Sequence, residues 1–320
     1  MSTVRRPRRS VTGILLLDKP AGITSNQALQ QVKRWYQADK AGHTGSLDPL
    51  ATGVLPICLG EATKLSGVLL DADKSYRADA AVGTRTSTGD LEGEVVETSS
   101  GRLERAALLA VLPRFRGPIR QVPPMYSALK HQGQRLYVLA RQGTEVVREA
   151  RDVTIHALEL EDFAPDRFRL FVRCSKGTYI RTLVEDIARA AGQCAHLTAL
   201  RRTEVAPFAE SRLYTLDQLE QSLHDGGLAA IDALLLDPAA GLAHWPRLRV
   251  DPVRAAYLAQ GQPVRVAGAA RNARLAVLDE DGRLLGLAES DAAGLVAPRR
   301  WLRGSPASPF QSRDEPEGRI

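Results

Sequence analysis

Apolar and polar positions change period several times along the chain. Residues 13–17 form an unbroken apolar run that Asp18-Lys19-Pro20-Ala21-Gly22 halts, which predicts a buried strand feeding a rigid loop. Ser25 is placed to cap a helix whose Ala28, Leu29, Val32 and Tyr36 share one side. Over residues 75–82, Tyr76, Ala78, Ala80 and Val82 alternate with Arg77 and Asp79, the period of a half-buried strand. Residues 103–112 read as helical. Residues 168–174 read as a strand that passes through Ser175-Lys176-Gly177-Thr178 into a helix carrying Ile180, Leu183, Val184 and Ile187 at helical spacing.

The texture changes at Trp245. Residues 264–266, 275–278 and 284–288 are short strand candidates, the last preceded by an Asp281-Gly282 turn. Strands and helices that do not alternate regularly predict an α+β domain over residues 11–245 rather than a doubly wound fold. It is followed by a small β-rich module over residues 246–303. A basic arm at 1–10 and a tail at 304–320, rich in Ser, Pro and charge, are expected to be flexible and disordered.

With 320 residues, 44% hydrophobic and 25% charged, the chain can bury a full core. Its net charge of +6 and pI near 9.4 favour a polyanionic partner only weakly. Cys58, Cys174 and Cys194 are scattered and odd in number, unlike a disulfide framework or a zinc cluster, and are expected to be buried thiols. No apolar run approaches the ~20 residues that cross a bilayer, and the basic start lacks a signal peptide's apolar core. The expected location is the cytoplasm. Residues 121–151 are different, because Lys130, Arg135, Arg141, Arg148 and Arg151 outweigh Glu145 and Glu149 and are interleaved with Tyr126 and Tyr137. Such a segment is either solvated connecting structure or a lobe laid on phosphate backbone.

Chemistry is densest in Gly42-His43-Thr44-Gly45-Ser46-Leu47-Asp48-Pro49-Leu50-Ala51-Thr52-Gly53. It has one acid, Asp48, with no metal-ligand spacing around it. An Asp before Pro commonly makes a turn or a cap, and His43 a loop hydrogen bond. The second dense stretch is Lys176-Gly177-Thr178-Tyr179-Ile180-Arg181. Arg181 falls away from the apolar stripe of its helix, so it either meets solvent or pairs with a carboxylate or phosphate in a cleft.

These two motifs, with Gly13-Ile14-Leu15-Leu16-Leu17-Asp18-Lys19-Pro20 and Val122-Pro123-Pro124-Met125-Tyr126-Ser127-Ala128-Leu129-Lys130, resemble the bacterial tRNA pseudouridine-55 synthase family. The resemblance runs from Gly13 to about Phe208 and more loosely through the C-terminal module. Ser46 stands where the family more usually has alanine or threonine. The resemblance implies a pseudouridine synthase catalytic domain with a mixed, mainly antiparallel sheet, and a PUA-like RNA-binding module. It implies Asp48 as the catalytic carboxylate, Tyr76 as the stacking tyrosine, and Arg181 beside them. It assigns Lys19, His43, Tyr179 and Leu200 to substrate binding, and residues 121–151 to gripping the tRNA T arm. Lys130, Arg135 and Arg141 are then phosphate contacts, as is Lys19.

The implied reaction detaches uracil from C1′ and rejoins it through C5. No atom is gained, so neither a cofactor nor a metal is expected. The target base must first swing out of the T loop. The implied protein acts as a monomer with no obligate protein partner and no membrane. Two rivals stay open: a related synthase on another RNA, including one guided by a small RNA in a multi-protein particle, and a non-catalytic RNA-binding or RNA-folding protein. A hydrolase using His43 with Asp48 lacks a nucleophile.

Overall fold

The computed structural model describes residues 8–100, 102–209 and 212–302. The expected disordered tail at 304–320 and most of the basic arm lie outside them. Arg9, at the end of that arm, is tied down by paired hydrogen bonds to the Asp232 carboxylate and by one to the Tyr36 carbonyl.

Among the described residues the fold is α+β, built on a nine-stranded sheet. Its order is Gly13–Lys19, Thr52–Leu59, Ala195–Val205, Lys74–Val82, Arg167–Cys174, Arg151–Ala164 and Gly117–Gln121. Ala41–His43 adds beside Thr52–Leu59, and Phe208–Ala209 beside Ala195–Val205. Only Thr52–Leu59 and Ala195–Val205 run parallel, with Arg202 opposite Gly53. Glycine is required there: φ is +99°, and a Cβ would lie 2.2 Å from the Arg202 carbonyl oxygen.

Two cores flank the sheet's chemistry. Ala78, Ala80, Leu170 and Val172 pack with Leu183, Val184 and Ile187 of the Ile180–Ala190 helix. Leu15, Leu17, Leu55 and Ile57 pack with Ala28, Leu29 and Val32 of the Ser25–Trp35 helix. The cap of that helix is Thr24, not Ser25: Thr24 and Gln27 form a reciprocal capping box. The helical stretch expected at 103–112 is the helix Arg105–Val111 followed by a 3-10 turn. All three cysteines are buried.

A second sheet has the order Arg247–Arg249, Arg274–Leu278, Leu284–Ser290, Leu295–Trp301 and Val264–Arg265. Its Ala276, Leu278, Leu284 and Leu287 join Ile14, Leu16, Leu65 and Leu69 of the larger unit in one apolar cluster. Lys64 adds a hydrogen bond from Nζ to the Trp301 carbonyl (2.6 Å). No helix among the described residues is long and apolar enough to cross a membrane.

Candidate active site

The loop between Ala41–His43 and Thr52–Leu59 has no regular ladder of its own, so its shape depends on bonds from outside it. Ser25, freed from capping, supplies two: its hydroxyl accepts the Leu47 N–H (2.7 Å) and donates to the Leu47 carbonyl (3.1 Å). The Thr44 N–H donates to the Pro56 carbonyl (3.2 Å) and the Gly22 N–H to the Pro49 carbonyl (2.8 Å). Lys19 corrects the expectation of a phosphate contact. It is fully buried, and its ammonium donates to the carbonyls of Pro20 (2.8 Å), Pro49 (3.3 Å) and Ala51 (2.8 Å). Burial pulls its pKa down to about 8, against the attraction of Asp48. Lys19 therefore clamps the loop from beneath. Lys19→Met is expected to lower the turnover rate about 100-fold by letting Asp48 drift, with the salt dependence of RNA binding unchanged. Binding titrations at several salt concentrations check this.

The loop presents Asp48 to the guanidinium of Arg181, with Nε 3.0 Å from Oδ2. Arg181 is buried although it faces away from its helix's apolar stripe, because two distant segments cover it. Its Nη1 donates to the Thr88 carbonyl (2.6 Å) and its Nη2 to the Tyr126 carbonyl (2.8 Å). A second carboxylate, which no motif signalled, lies 3.6 Å away: Asp90, held by the Thr88 hydroxyl (2.6 Å) and the Glu92 N–H (3.0 Å). Asp48 titrates above the ordinary carboxylate value. Burial outweighs the opposing pull of Arg181, and Asp90 adds to the upward push.

Asp48, Tyr76, Tyr179, Arg181 and Leu200 line one cleft of about 710 Å3. Tyr76 and Leu200 come from neighbouring antiparallel strands, where Leu200 opposes Ala78. Burial pushes the Tyr76 phenol up to about 12, although Arg202 pulls it down, so at neutral pH it is a hydrogen-bond donor rather than a free base. Tyr179 caps the Ile180–Ala190 helix and is held on both sides of its backbone by the amide of buried Gln121 (3.1 and 3.3 Å). Lys74, Arg151, Lys176 and Arg202 also face the cleft, so cations outnumber acids around it. Gln121, Asp90 and Arg202 carry no sequence signal that marks them as site residues.

His43 is not among the residues lining the cleft. Its Nδ1 accepts the Gly45 N–H (3.4 Å), and burial lowers its pKa, with Arg202 adding to the effect. Asp48 pairs with Arg181, which leaves the His43–Asp48 hydrolase without its dyad. Lys130 and Arg135 face each other on a two-stranded ribbon, and Arg141 ends the Leu136–Arg141 helix with its guanidinium 5.8 Å from the Tyr137 ring centre. All three are exposed and lie outside the cleft.

Residues 33–180 match the N-terminal domain of the TruB family pseudouridylate synthases. Residues 181–240 match the tRNA pseudouridylate synthase B C-terminal domain, and residues 246–302 the C-terminal domain of pseudouridine synthase II TruB. A tRNA pseudouridine synthase B of Pseudomonas putida (strain GB-1) is 54% identical over 303 residues, covering 95% of this chain and 99% of the relative. The chain belongs to the TruB family of pseudouridylate synthases. A second TruB relative, the tRNA pseudouridine synthase B of Pseudomonas aeruginosa (strain UCBPP-PA14), is 53% identical over 95% of this chain and 100% of its own length. Among solved structures, a chain of a Cbf5-Nop10-Gar1 complex shares 26% identity with a TM-score of 0.72, covering 91% of this chain and 84% of that one. One from an archaeal box H/ACA sRNP Nop10-Cbf5 complex shares 25% with a TM-score of 0.68, covering 91% and 85%. The family resemblance read from the four motifs is borne out. The TruB match also spans the whole cleft, whose lining runs from Gly45 to Arg202.

Proposed function

We propose that this tRNA pseudouridine synthase acts on uridine 55 of the T loop, with Asp48 as the catalytic carboxylate and Tyr76 as the surface on which the flipped base stacks. The observation that carries this reading is the Asp48 carboxylate held by Arg181 at a cleft walled by Tyr76, Tyr179 and Leu200. Uracil leaves C1′ with the N1 electron pair and rejoins through C5. The C5 proton is lost and N1 gains one, so the reaction balances without an oxidant or energy source. A carboxylate serves such a centre by stabilising positive charge at C1′, by attacking it, or by taking a proton nearby. Stacking on Tyr76 offsets part of the cost of flipping, at about 1–3 kcal/mol per base.

The insertion would hold the stem. Replacing Lys130, Arg135 and Arg141 by alanine should weaken T-arm binding equally for all sequences. It should also flatten the dependence of log Kd on log salt by about 0.7–0.9 for each phosphate left without its cation. Filter-binding titrations across salt concentrations test it. The C-terminal module would extend the RNA contact, and the protein would act alone in the cytoplasm.

The deciding experiment measures tritium release from T-arm RNA carrying [5-³H]uridine, with pseudouridine mapped by position. Release with product only at the T-loop uridine supports the reading. Product at another loop of full-length tRNA assigns a different target. Activity that appears only with an added small RNA or protein would favour the guided rival.

A further inference from the structure

Among the described residues Arg202 is the largest fully buried side chain, 1% exposed, and no carboxylate pairs with it. An unpaired buried guanidinium is costly unless its N–H groups are used. Two uses are backbone carbonyls: Nε donates to Val54 (2.7 Å) and Nη2 to Gly45 (3.1 Å). Both carbonyls flank the Asp48 loop. The third neighbour is a phenol. Arg202 stands directly opposite Tyr76 in the ladder between Ala195–Val205 and Lys74–Val82, and opposed residues of antiparallel strands project to the same face. Both side chains border the cleft.

We propose that Arg202 is a positioning residue that fixes the Tyr76 hydroxyl with its hydrogen toward the reacting base and serves as the counter-charge when that hydrogen leaves. A guanidinium has five donors and no acceptor, so beside Arg202 the phenol oxygen can only accept. Its own hydrogen is thereby turned to the cleft, where Asp48 and the flipped uracil lie. The phenol delivers that hydrogen to N1 as the N1–C1′ bond breaks. The phenolate left beside Arg202 takes the C5 proton once the C1′–C5 bond has formed. Phenol is restored, and no outside acid or base is consumed. The inference rests on the reading that Tyr76 faces the uracil.

The charged and titratable groups around the pair are few. Asp48 and Cys174 face Tyr76 from the loop and from Arg167–Cys174, while Lys19, His43 and Lys74 surround Arg202. Among the charges acting on the phenol, Arg202 is the first.

The test places 3-fluorotyrosine at position 76 and follows its ionisation by ¹⁹F NMR without RNA, in the parent, Arg202→Gln and Arg202→Lys proteins. The phenol should titrate higher in Arg202→Gln than in the parent, and near the parent value in Arg202→Lys. With T-arm RNA, kcat for tritium release should fall about 100-fold in Arg202→Gln at nearly unchanged KM. Arg202→Lys should recover part of that loss. In a Tyr76→Phe background either Arg202 change should cost less than about threefold more. An unshifted titration in folded Arg202→Gln, or an undiminished loss in the Tyr76→Phe background, overturns the inference and leaves Arg202 as a brace for the loop. If Arg202→Gln does not fold, the Arg202→Lys pair of backgrounds decides by the same criterion. The titration contains no RNA, so its failure is separable from failure of the Tyr76 reading, which a parent protein inactive on T-arm RNA would signal.

Discussion

Asp48→Asn should reduce tritium release from [5-³H]uridine T-arm RNA by at least about 1000-fold, with RNA affinity kept within about threefold. The amide has nearly the size of the carboxylate and can neither attack C1′ nor take a proton. The melting temperature should stay level or rise by about 1–3 °C. The sign follows from linkage. Folding raises the Asp48 pKa, so its ionised form disfavours the folded state above that pKa, and the penalty disappears as pH falls through it. A neutral Asn never carries the penalty. The same shift places the acid limb of kcat/KM above the ordinary carboxylate value. A pH profile of tritium release, together with thermal melts of both proteins, checks the three statements. Full activity in the folded variant would remove Asp48 from the mechanism.

Arg181→Met should damage stability and chemistry together. The change leaves Asp48 and Asp90 facing each other without a counter-charge, and it strips donors from the Thr88 and Tyr126 carbonyls. Removing one partner from a fully buried ion pair costs about 3–5 kcal/mol. Because Asp48 opens partly to the cleft, about 2–4 kcal/mol is expected here, read as a fall in the urea midpoint. Without the guanidinium the Asp48 pKa climbs further, so turnover at neutral pH should drop at least about 100-fold and recover in part as pH rises. Arg181→Lys keeps the charge but loses the fork and should fall between parent and Met. A profile that drops equally at every pH would assign Arg181 to substrate contact instead.

Much of this arrangement was legible because period and face are local properties. Alternation put Tyr76 on the inward face of its strand, and helical spacing put Arg181 off the apolar stripe. The rest depended on segments far apart in the chain. Arg181 is buried by the carbonyls of Thr88 and Tyr126, and no pattern near position 181 announces them. Lys19 sits before a proline at the end of an apolar run and reads as exposed, yet three carbonyls close over it. Asp90 reaches Arg181 from the loop between the paired strands Thr84–Thr86 and Val95–Thr98. Some signals were present and unused. Thr24-x-x-Gln27 and Thr215-x-x-Gln218 both carry the spacing of a capping box, and each begins a helix. Reading the first would have released Ser25 for its bonds to Leu47.

Gln121 and Arg151 are partners on a single rung between Gly117–Gln121 and Arg151–Ala164. The whole insertion thus leaves and re-enters the sheet at one point, like a cassette in a slot. A tight hairpin would close the same rung without moving any other strand out of register. Evolution can therefore lengthen, shorten or exchange the cassette while Asp48, Tyr76 and Arg181 keep their scaffold. Gln121 and Tyr126 set the limit on that freedom. Any replacement must still offer an amide to Tyr179 and a carbonyl to Arg181, so any graft at this rung inherits two obligations at its root.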